Sequence, residues 1–136
     1  MPVTANAIIT SQAVKSAQCV ATAAKTTYND ATNAVLLMTA GANGAVVYGL
    51  KALARATVAL TQLQLYRSPD TGTTLNLIGV QAMAAYTMAQ TTAQPAVDFG
   101  FGESVPLRLA ANERLYFAIG VALAGGVVAD VQYEDL

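Results

Sequence analysis

The sequence contains no histidine and no tryptophan, and it has a single cysteine and few charged residues. Without histidine the chain lacks the base of the Ser-His-Asp and Cys-His nucleophile systems, and it has no imidazole ligand for a metal ion. The one cysteine, Cys19, permits neither a disulfide within the chain nor a four-cysteine zinc site. These absences exclude several common catalytic and metal-binding arrangements.

Charge is scarce and almost balanced. Charged residues make up 11 % of the 136 residues, and 7 basic against 8 acidic side chains give a net charge of −1. Such a chain exerts no long-range attraction on a polyanion, so nucleic acid is not an expected partner.

Hydrophobic residues, by contrast, reach 54 %, which is above the usual share for a globular domain. Much of this surplus is alanine, which adds little volume to a core but lets a neighbouring chain approach closely. Monomers rarely leave large apolar patches in water, so we expect a surface that packs against other subunits. The alternative is an alanine-rich composition with no interface meaning.

No apolar run is long enough to cross a membrane. The longest, Leu115–Ala129, is shorter than the ~18–20 residues of a spanning helix and is interrupted by Gly125 and Gly126. The first basic residue is Lys15, and the start of the chain lacks the charged and apolar regions of a signal peptide. We therefore expect no membrane partner and synthesis in a cytoplasm, where a lone cysteine is ordinary.

The first residues differ in pattern from the rest of the chain. Residues 1–16 show neither helical nor strand periodicity and predict an extended N-terminal arm, whose strongest apolar point is Ile8 and Ile9. We expect this arm to attach to a neighbouring subunit as an added strand or hook. Residues 17–136 are predicted to form a single β-sandwich domain.

Strand patterns and turns dominate after the arm. Arg67–Gly72 is the clearest turn, because Pro69 presets φ, Asp70 caps the turn and Gly72 closes it. Gly41–Gly44 is a second turn. Candidate strands are residues 18–24, 34–40, 45–55, 57–66, the return strand with Leu75 and Leu77, 105–109, 115–123 and 127–133, whereas residues 81–90 fit either a short helix or an irregular strand. About eight strands with almost no helix predict an antiparallel β-sandwich, a jelly roll or a small barrel.

One predicted strand is apolar or small on both faces. Leu115, Phe117 and Ile119 point one way, while Tyr116, Ala118, Gly120 and Ala122 point the other. A strand with one wet face alternates apolar with polar residues, so this pattern indicates cover on both sides. We assign Tyr116, Ala118 and Ala122 to a subunit interface. Phe99 and Phe101, in a loop, either anchor that loop on the core or project into a neighbour.

Catalytic and metal-binding patterns are weak. Asp98 and Glu103 have a spacing that two-carboxylate hydrolysis could use, but no aromatic sugar platform accompanies them. Asp130, Glu134 and Asp135 could ligate Ca²⁺, although a solvated or ion-paired acidic terminus explains them better. A serine paired with Lys15, Lys25 or Lys51 stays open. We predict a non-enzymatic protein that uses no cofactor.

Residues 35–45, 63–72, 109–116 and 119–122 resemble small virion proteins of tailed bacteriophages in style and turn spacing. The resemblance spans roughly residues 18–128. It implies a β-sandwich structural protein of the virion, made in the host cytoplasm, which acts as a capsid decoration or cement protein and has no active site. The implied partners are the major capsid protein or other virion proteins, together with further copies of this chain, and a trimer is our expectation.

Two alternatives remain open on the same fold. The first is a connector or fibre-associated protein of the phage tail or baseplate. The second is a carbohydrate-binding jelly-roll module that uses Tyr28, Tyr48 or Phe99 in its loops.

Overall fold

A computed structural model of the chain describes residues 13–28 and 30–136. In this part of the chain there are nine β-strands and no helix, which confirms the predicted all-β class. The predicted arm residues 1–12, with Ile8 and Ile9, lie outside the described residues. The strands are β1 (Val14–Ala21), β2 (Val35–Thr39), β3 (Ala45–Ala54), β4 (Thr61–Ser68), β5 (Asn76–Met83), β6 (Val97–Asp98), β7 (Leu107–Leu109), β8 (Arg114–Ile119) and β9 (Val127–Asp135).

The strands form two antiparallel sheets. The first sheet has the order β1-β9-β3-β6, and β7 also pairs with β3. The second has the order β2-β8-β4-β5. Contacts between β1 and β2 and between β5 and β6 join the two sheets along their opposite edges. The result is a two-layer, sandwich-like arrangement.

One hydrophobic core lies between the two sheets. Strand alternation places Val127, Ala129 and Val131 of β9 in it, fully buried, and brings Leu63 and Leu65 of β4 from the opposite sheet. This is what a period of two residues dictates when one face of each strand is apolar. The predicted core faces of these two strands are therefore confirmed.

The Arg67–Gly72 turn forms as the sequence predicts. The Asp70 carboxylate accepts hydrogen bonds from the Thr74 amide at 2.7 Å and from the Ser68 hydroxyl at 3.2 Å, and the Ser68 hydroxyl accepts one from the Gly72 amide at 2.8 Å. Gly72 has a φ of 95°, and a Cβ there would lie 2.4 Å from the hydroxyl of Tyr116. Glycine is required at this position for both reasons.

Several boundaries differ from the sequence-based expectation. β1 begins at Val14, because Val14–Ser16 pair with Gln132–Glu134, so the last residues assigned to the arm belong to a strand. The segment 81–90 is not a helix: its first residues complete β5, and Tyr86 forms an isolated bridge with Val58.

Two further expectations concern strands near the end of the chain. β7 begins directly after Pro106 and pairs only with β3, as the lack of a proline N–H predicts. β8 ends at Ile119, whereas the sequence pattern continued to residue 123. The Gly120 amide still bonds to the Gln62 carbonyl of β4, but the Val121 amide donates to the Thr61 hydroxyl and not to a backbone carbonyl, so the ladder ends there.

Candidate functional site

The outer face of the second sheet is partly covered by the connection between β1 and β2. Lys25 in this connection has a fully buried side chain. Its ammonium donates hydrogen bonds to the Asp30 carboxylate at 2.9 Å and to the backbone carbonyls of Asp30 and Thr32 at 2.6 and 3.0 Å. The same ammonium lies 5.3 Å from the centre of the Tyr66 ring on β4, within cation–π distance.

Electrostatic interactions of Lys25 hold the β1–β2 connection against the second sheet. The hydrogen bond from Lys25, and to a smaller extent the one from Thr27, holds the pKa of the Asp30 carboxyl well below its ordinary value. Burial raises the pKa of the Tyr66 phenol to about 12, so this group is a neutral hydrogen-bond donor at physiological pH. The connection is thus anchored by a buried cation that has both a carboxylate and an aromatic partner.

A chain of hydrogen bonds continues from Tyr66 across the sheet surface. The Tyr66 hydroxyl donates to the Gln64 amide oxygen at 2.6 Å. The Gln64 amide nitrogen donates to the Gln62 amide oxygen at 2.9 Å and to the Lys25 carbonyl at 3.2 Å, and the Tyr28 hydroxyl donates to the same Gln62 oxygen at 2.8 Å. These polar groups bond to one another, so they offer few free donors or acceptors to a ligand.

Beside this network lies an open groove of about 580 Å³. Its lining comes from the β1–β2 connection, β4, β5 and the segment after β8. Among its lining residues Leu60 is 67 %, Val121 is 48 % and Val80 is 41 % exposed. The one charged lining residue, Lys25, has no exposed side-chain surface. The groove therefore presents an uncharged and mainly apolar surface.

The groove runs along β5, which ends the second sheet. Within the described part of the chain, no strand pairs with the outer side of β5. Its sequence, Asn76–Met83, contains no charged residue and no proline, the usual devices that keep an edge strand from pairing. The register with β4 shifts at Ile78, which leaves Gly79–Met83 as the regular stretch.

The predicted interface residues separate into different environments. Phe99 is 9 % exposed and meets Phe117 edge to face, with ring centres 6.4 Å apart, so it is a core residue and its ring is closed to a neighbour. Phe101 packs partly on the same core. For both loop residues, the structure agrees with the core-anchor alternative.

The interface assignment on β8 needs a correction. Ala118 is fully buried in a small cluster with Tyr66 and Leu75, against which Ala34 and Tyr116 also pack. The cover that the sequence predicted on this face comes from the same chain, because the β1–β2 connection folds over it. Ala122 is exposed, but it lies in the loop after β8 and not on the strand face.

The other candidate groups do not converge on a reactive centre. The Asp98 carboxylate accepts a hydrogen bond from the Gly100 amide at 2.8 Å. The Asp135 carboxylate forms a salt bridge with the Lys15 ammonium at 2.6 Å. Residues 13–28 and 30–136 contain no cluster of three or more cysteine, aspartate or glutamate side chains able to hold a metal ion. Burial raises the pKa of the Cys19 thiol to about 12, so this cysteine is a core residue with little thiolate.

The network of Lys25, Gln62 and Gln64 was hardly visible from the sequence. Lys25 stood out only as a loop lysine, and the glutamines alternate with leucines as solvent-facing residues normally do. The signal that could have pointed to a covered sheet surface is Tyr66, an aromatic residue on the same strand face as Gln62 and Gln64.

Residues 13–28 and 30–136 contain no helix of the length and apolar character needed to cross a membrane.

Comparison with known proteins yields no matching family model, no significant match among curated proteins and no significant match among solved structures. Function is therefore inferred from the residues themselves.

Proposed function

We propose that this chain is a non-enzymatic structural protein of a tailed-bacteriophage virion, most specifically a capsid decoration or cement protein. It would act by adding contacts between subunits of the shell and would bind the major capsid protein or other virion proteins. The observation that carries this proposal is the uncharged, mainly apolar groove beside the edge of β5, which has no further partner strand among residues 13–28 and 30–136. Such a surface fits a protein partner better than it fits a charged metabolite.

The strand pairings support a jelly roll as the finer description of the fold. β4 pairs with β5, β3 with β6, β2 with β8 and β1 with β9, so the pairs nest as in one long hairpin. A hairpin of this kind, folded over into two sheets, is a jelly roll, and β7 is an additional short strand beside β3. Viral capsid domains and lectins are among the proteins built this way. Fold alone does not assign a function, so this counts as support by analogy.

Binding to several subunits of a shell at once would raise an affinity that is modest for each single contact. A standard interface buries about 800 Å² per partner, and only part of the gross burial energy survives the cost of association. A protein that bridges several capsid subunits makes its later contacts effectively intramolecular. We propose that the chain self-associates, as a trimer, and bridges subunits in this manner.

The test is localisation in the particle together with shell stability. Gold-labelled antibody against the chain should decorate phage heads at regular positions, and heads that carry the protein should release DNA at a higher temperature than heads without it. Label confined to the tail or baseplate would support the connector alternative instead. Virions that lack the chain altogether would overturn the structural role.

A second candidate is binding of a neutral carbohydrate, favoured by one observation. Tyr28, 44 % exposed, lines the groove beside Gln62, and aromatic rings with neighbouring amides are suited to sugars. Tyr48 lies on the first sheet and Phe99 in the core, so neither joins Tyr28 at this site. Specific binding on a glycan array that disappears in Tyr28→Ala would support this candidate. Its absence would leave the groove to a protein partner.

A further inference from the structure

We infer that the β5 edge and its groove receive the N-terminal segment of a second copy of this chain, which adds residues 3–11 as a strand beside Gly79–Met83. This inference rests on the proposed self-association and names the surface that performs it. In this mode of recognition main-chain hydrogen bonds to a free sheet edge supply affinity, and pockets for alternate side chains supply specificity.

The β5 edge, which we call the acceptor, has within the described part of the chain both a free row of main-chain groups and a neighbouring apolar groove, the two features that an added strand needs. The regular stretch Gly79–Met83 pairs with Thr61–Leu65 on one side and has no partner strand on the other within the described residues. Val80 and Ala82 project from it into the groove. An added strand would therefore place every second side chain over an apolar pocket.

The occupant is chosen by its chemistry. Residues 1–12 carry no charged side chain, and their apolar residues include Val3, Ile8 and Ile9. The groove likewise exposes no charged side chain, since Lys25 is buried against Asp30. A charged peptide would lose hydration there without gaining an ion pair, whereas an uncharged apolar segment loses little. The Gln64 amide and the Gln62 amide oxygen are already bonded within the network, which leaves fewer polar partners for a sugar.

The segment cannot serve the groove of its own subunit. β1 starts at Val14, and only its far end, after Ala21, leads into the β1–β2 connection that lines the groove. β1 has eight residues, which corresponds to about 26 Å. Ile9 is four residues from Ala13, a reach of at most about 14 Å. The groove also lies at the opposite edge of the sandwich from β1, so only another copy can bring this segment to it. One of the two isoleucines then faces the groove and the other faces the opposite side of the sheet.

Donor and acceptor at opposite corners of one subunit imply a head-to-tail arrangement. Each copy gives its segment to one neighbour and receives a segment from the other neighbour. Such contacts close into a ring when the rotation permits it; the smallest closed form is reciprocal exchange between two copies, in which both neighbours are the same subunit, and a trimer is the next.

The test uses the full chain and two complementary variants. Ile8→Asp combined with Ile9→Asp disables the donor, and Val80→Lys disables the acceptor. Each variant alone should have the mass of a monomer by sedimentation, whereas the unaltered chain should be a trimer or another closed ring. A mixture of equal amounts should form a dimer and nothing larger, because it contains one working donor and one working acceptor.

The control is Val105→Lys, the same substitution at an exposed valine in the β6–β7 loop, which should keep the full mass. Thermal unfolding of each variant checks that a lost assembly is not a lost fold. An unaltered chain that is monomeric, a Val80→Lys variant that keeps the full mass, or a mixture that stays monomeric would overturn the inference. Gold labelling of heads would still test the virion role, because a monomer could bind capsid subunits.

Discussion

The ammonium of Lys25 lies 5.3 Å from the centre of the Tyr66 ring, and both side chains are completely shielded from solvent. A lysine is rarely buried in a small β protein unless it is paired. Here it anchors the β1–β2 connection on the second sheet, which closes one part of that surface and leaves the groove beside it open.

Replacing Lys25 by methionine should destabilise the fold by about 1–3 kcal/mol, because the carbonyls of Asp30 and Thr32 lose their donor while the buried volume is kept. Urea unfolding followed by circular dichroism measures the loss. The matched control is Lys51→Met, at an exposed lysine on β3, which should change stability by less than about 0.5 kcal/mol. Equal effects of the two substitutions would contradict the anchoring role of Lys25.

Stability should fall in acid, and Asp30 should contribute to the fall. Its pKa in the folded state lies below the ordinary value of 3.8, because Lys25 and Thr27 bond the ionised form. Ionised Asp30 therefore stabilises the fold above the unfolded-state pKa, and this contribution is lost as the pH falls through the lower folded-state value. Asp30→Asn should flatten the dependence of unfolding free energy on pH below about 4.

The comparison variant for this experiment is Asp70→Asn. The pKa of Asp70 is also lowered, chiefly by the backbone amide of Thr74, so this variant should flatten the same limb of the profile. The two effects should add, since the groups belong to separate loops. An acid limb unchanged by Asp30→Asn would show that the Lys25 contact does not favour the ionised carboxylate.

Phe99→Ala should cost about 3–5 kcal/mol of unfolding free energy, because it removes a buried ring that meets Phe117 edge to face. Phe101→Ala should cost less, since Phe101 is only partly buried against the core. Neither substitution should change the oligomeric mass of the protein that remains folded. Loss of assembly with unchanged thermal stability in Phe99→Ala would instead restore the interface role that the sequence suggested.

Gly72→Ala should be destabilising by about 1–3 kcal/mol, because the positive φ is strained for alanine and its Cβ would meet the Tyr116 hydroxyl. Adding Tyr116→Phe should recover only the stability lost to the clash with the hydroxyl, because the backbone strain from the positive φ remains. The control, Gly102→Ala, should be close to neutral, since a Cβ at Gly102 meets nothing within 4 Å and its φ is not positive. Thermal denaturation of the four proteins checks this order.

The strands that could be predicted are those with an unbroken period of two. β4, β8 and β9 show alternating core residues that remain visible without any partner strand. Segment 81–90 could not be assigned, because alanine and methionine tolerate helix and strand alike. Pairing of residues 81–83 with β4 and the bridge of Tyr86 with Val58 decide against a helix.

The candidate site was accessible to sequence analysis only in part. An apolar, weakly charged surface could be expected from composition, but its position could not. The pattern at Tyr116 and Ala118 correctly indicated a covered face, yet nothing in the sequence tells a partner subunit from a loop of the same chain as the cover. The groove also joins residues as distant as Tyr28 and Val121, whose proximity arises only when β8 is placed between β2 and β4.

The all-β class, the tight turn at Arg67–Gly72 and the apolar faces of the main strands follow from local sequence, because each depends on neighbours within a few residues. The strand pairing, the covered face of the second sheet and the edge that has no partner among the described residues emerge only in the folded chain. Those features depend on contacts between distant segments, such as Lys25 with Tyr66, and the period of a strand carries no information about its partner.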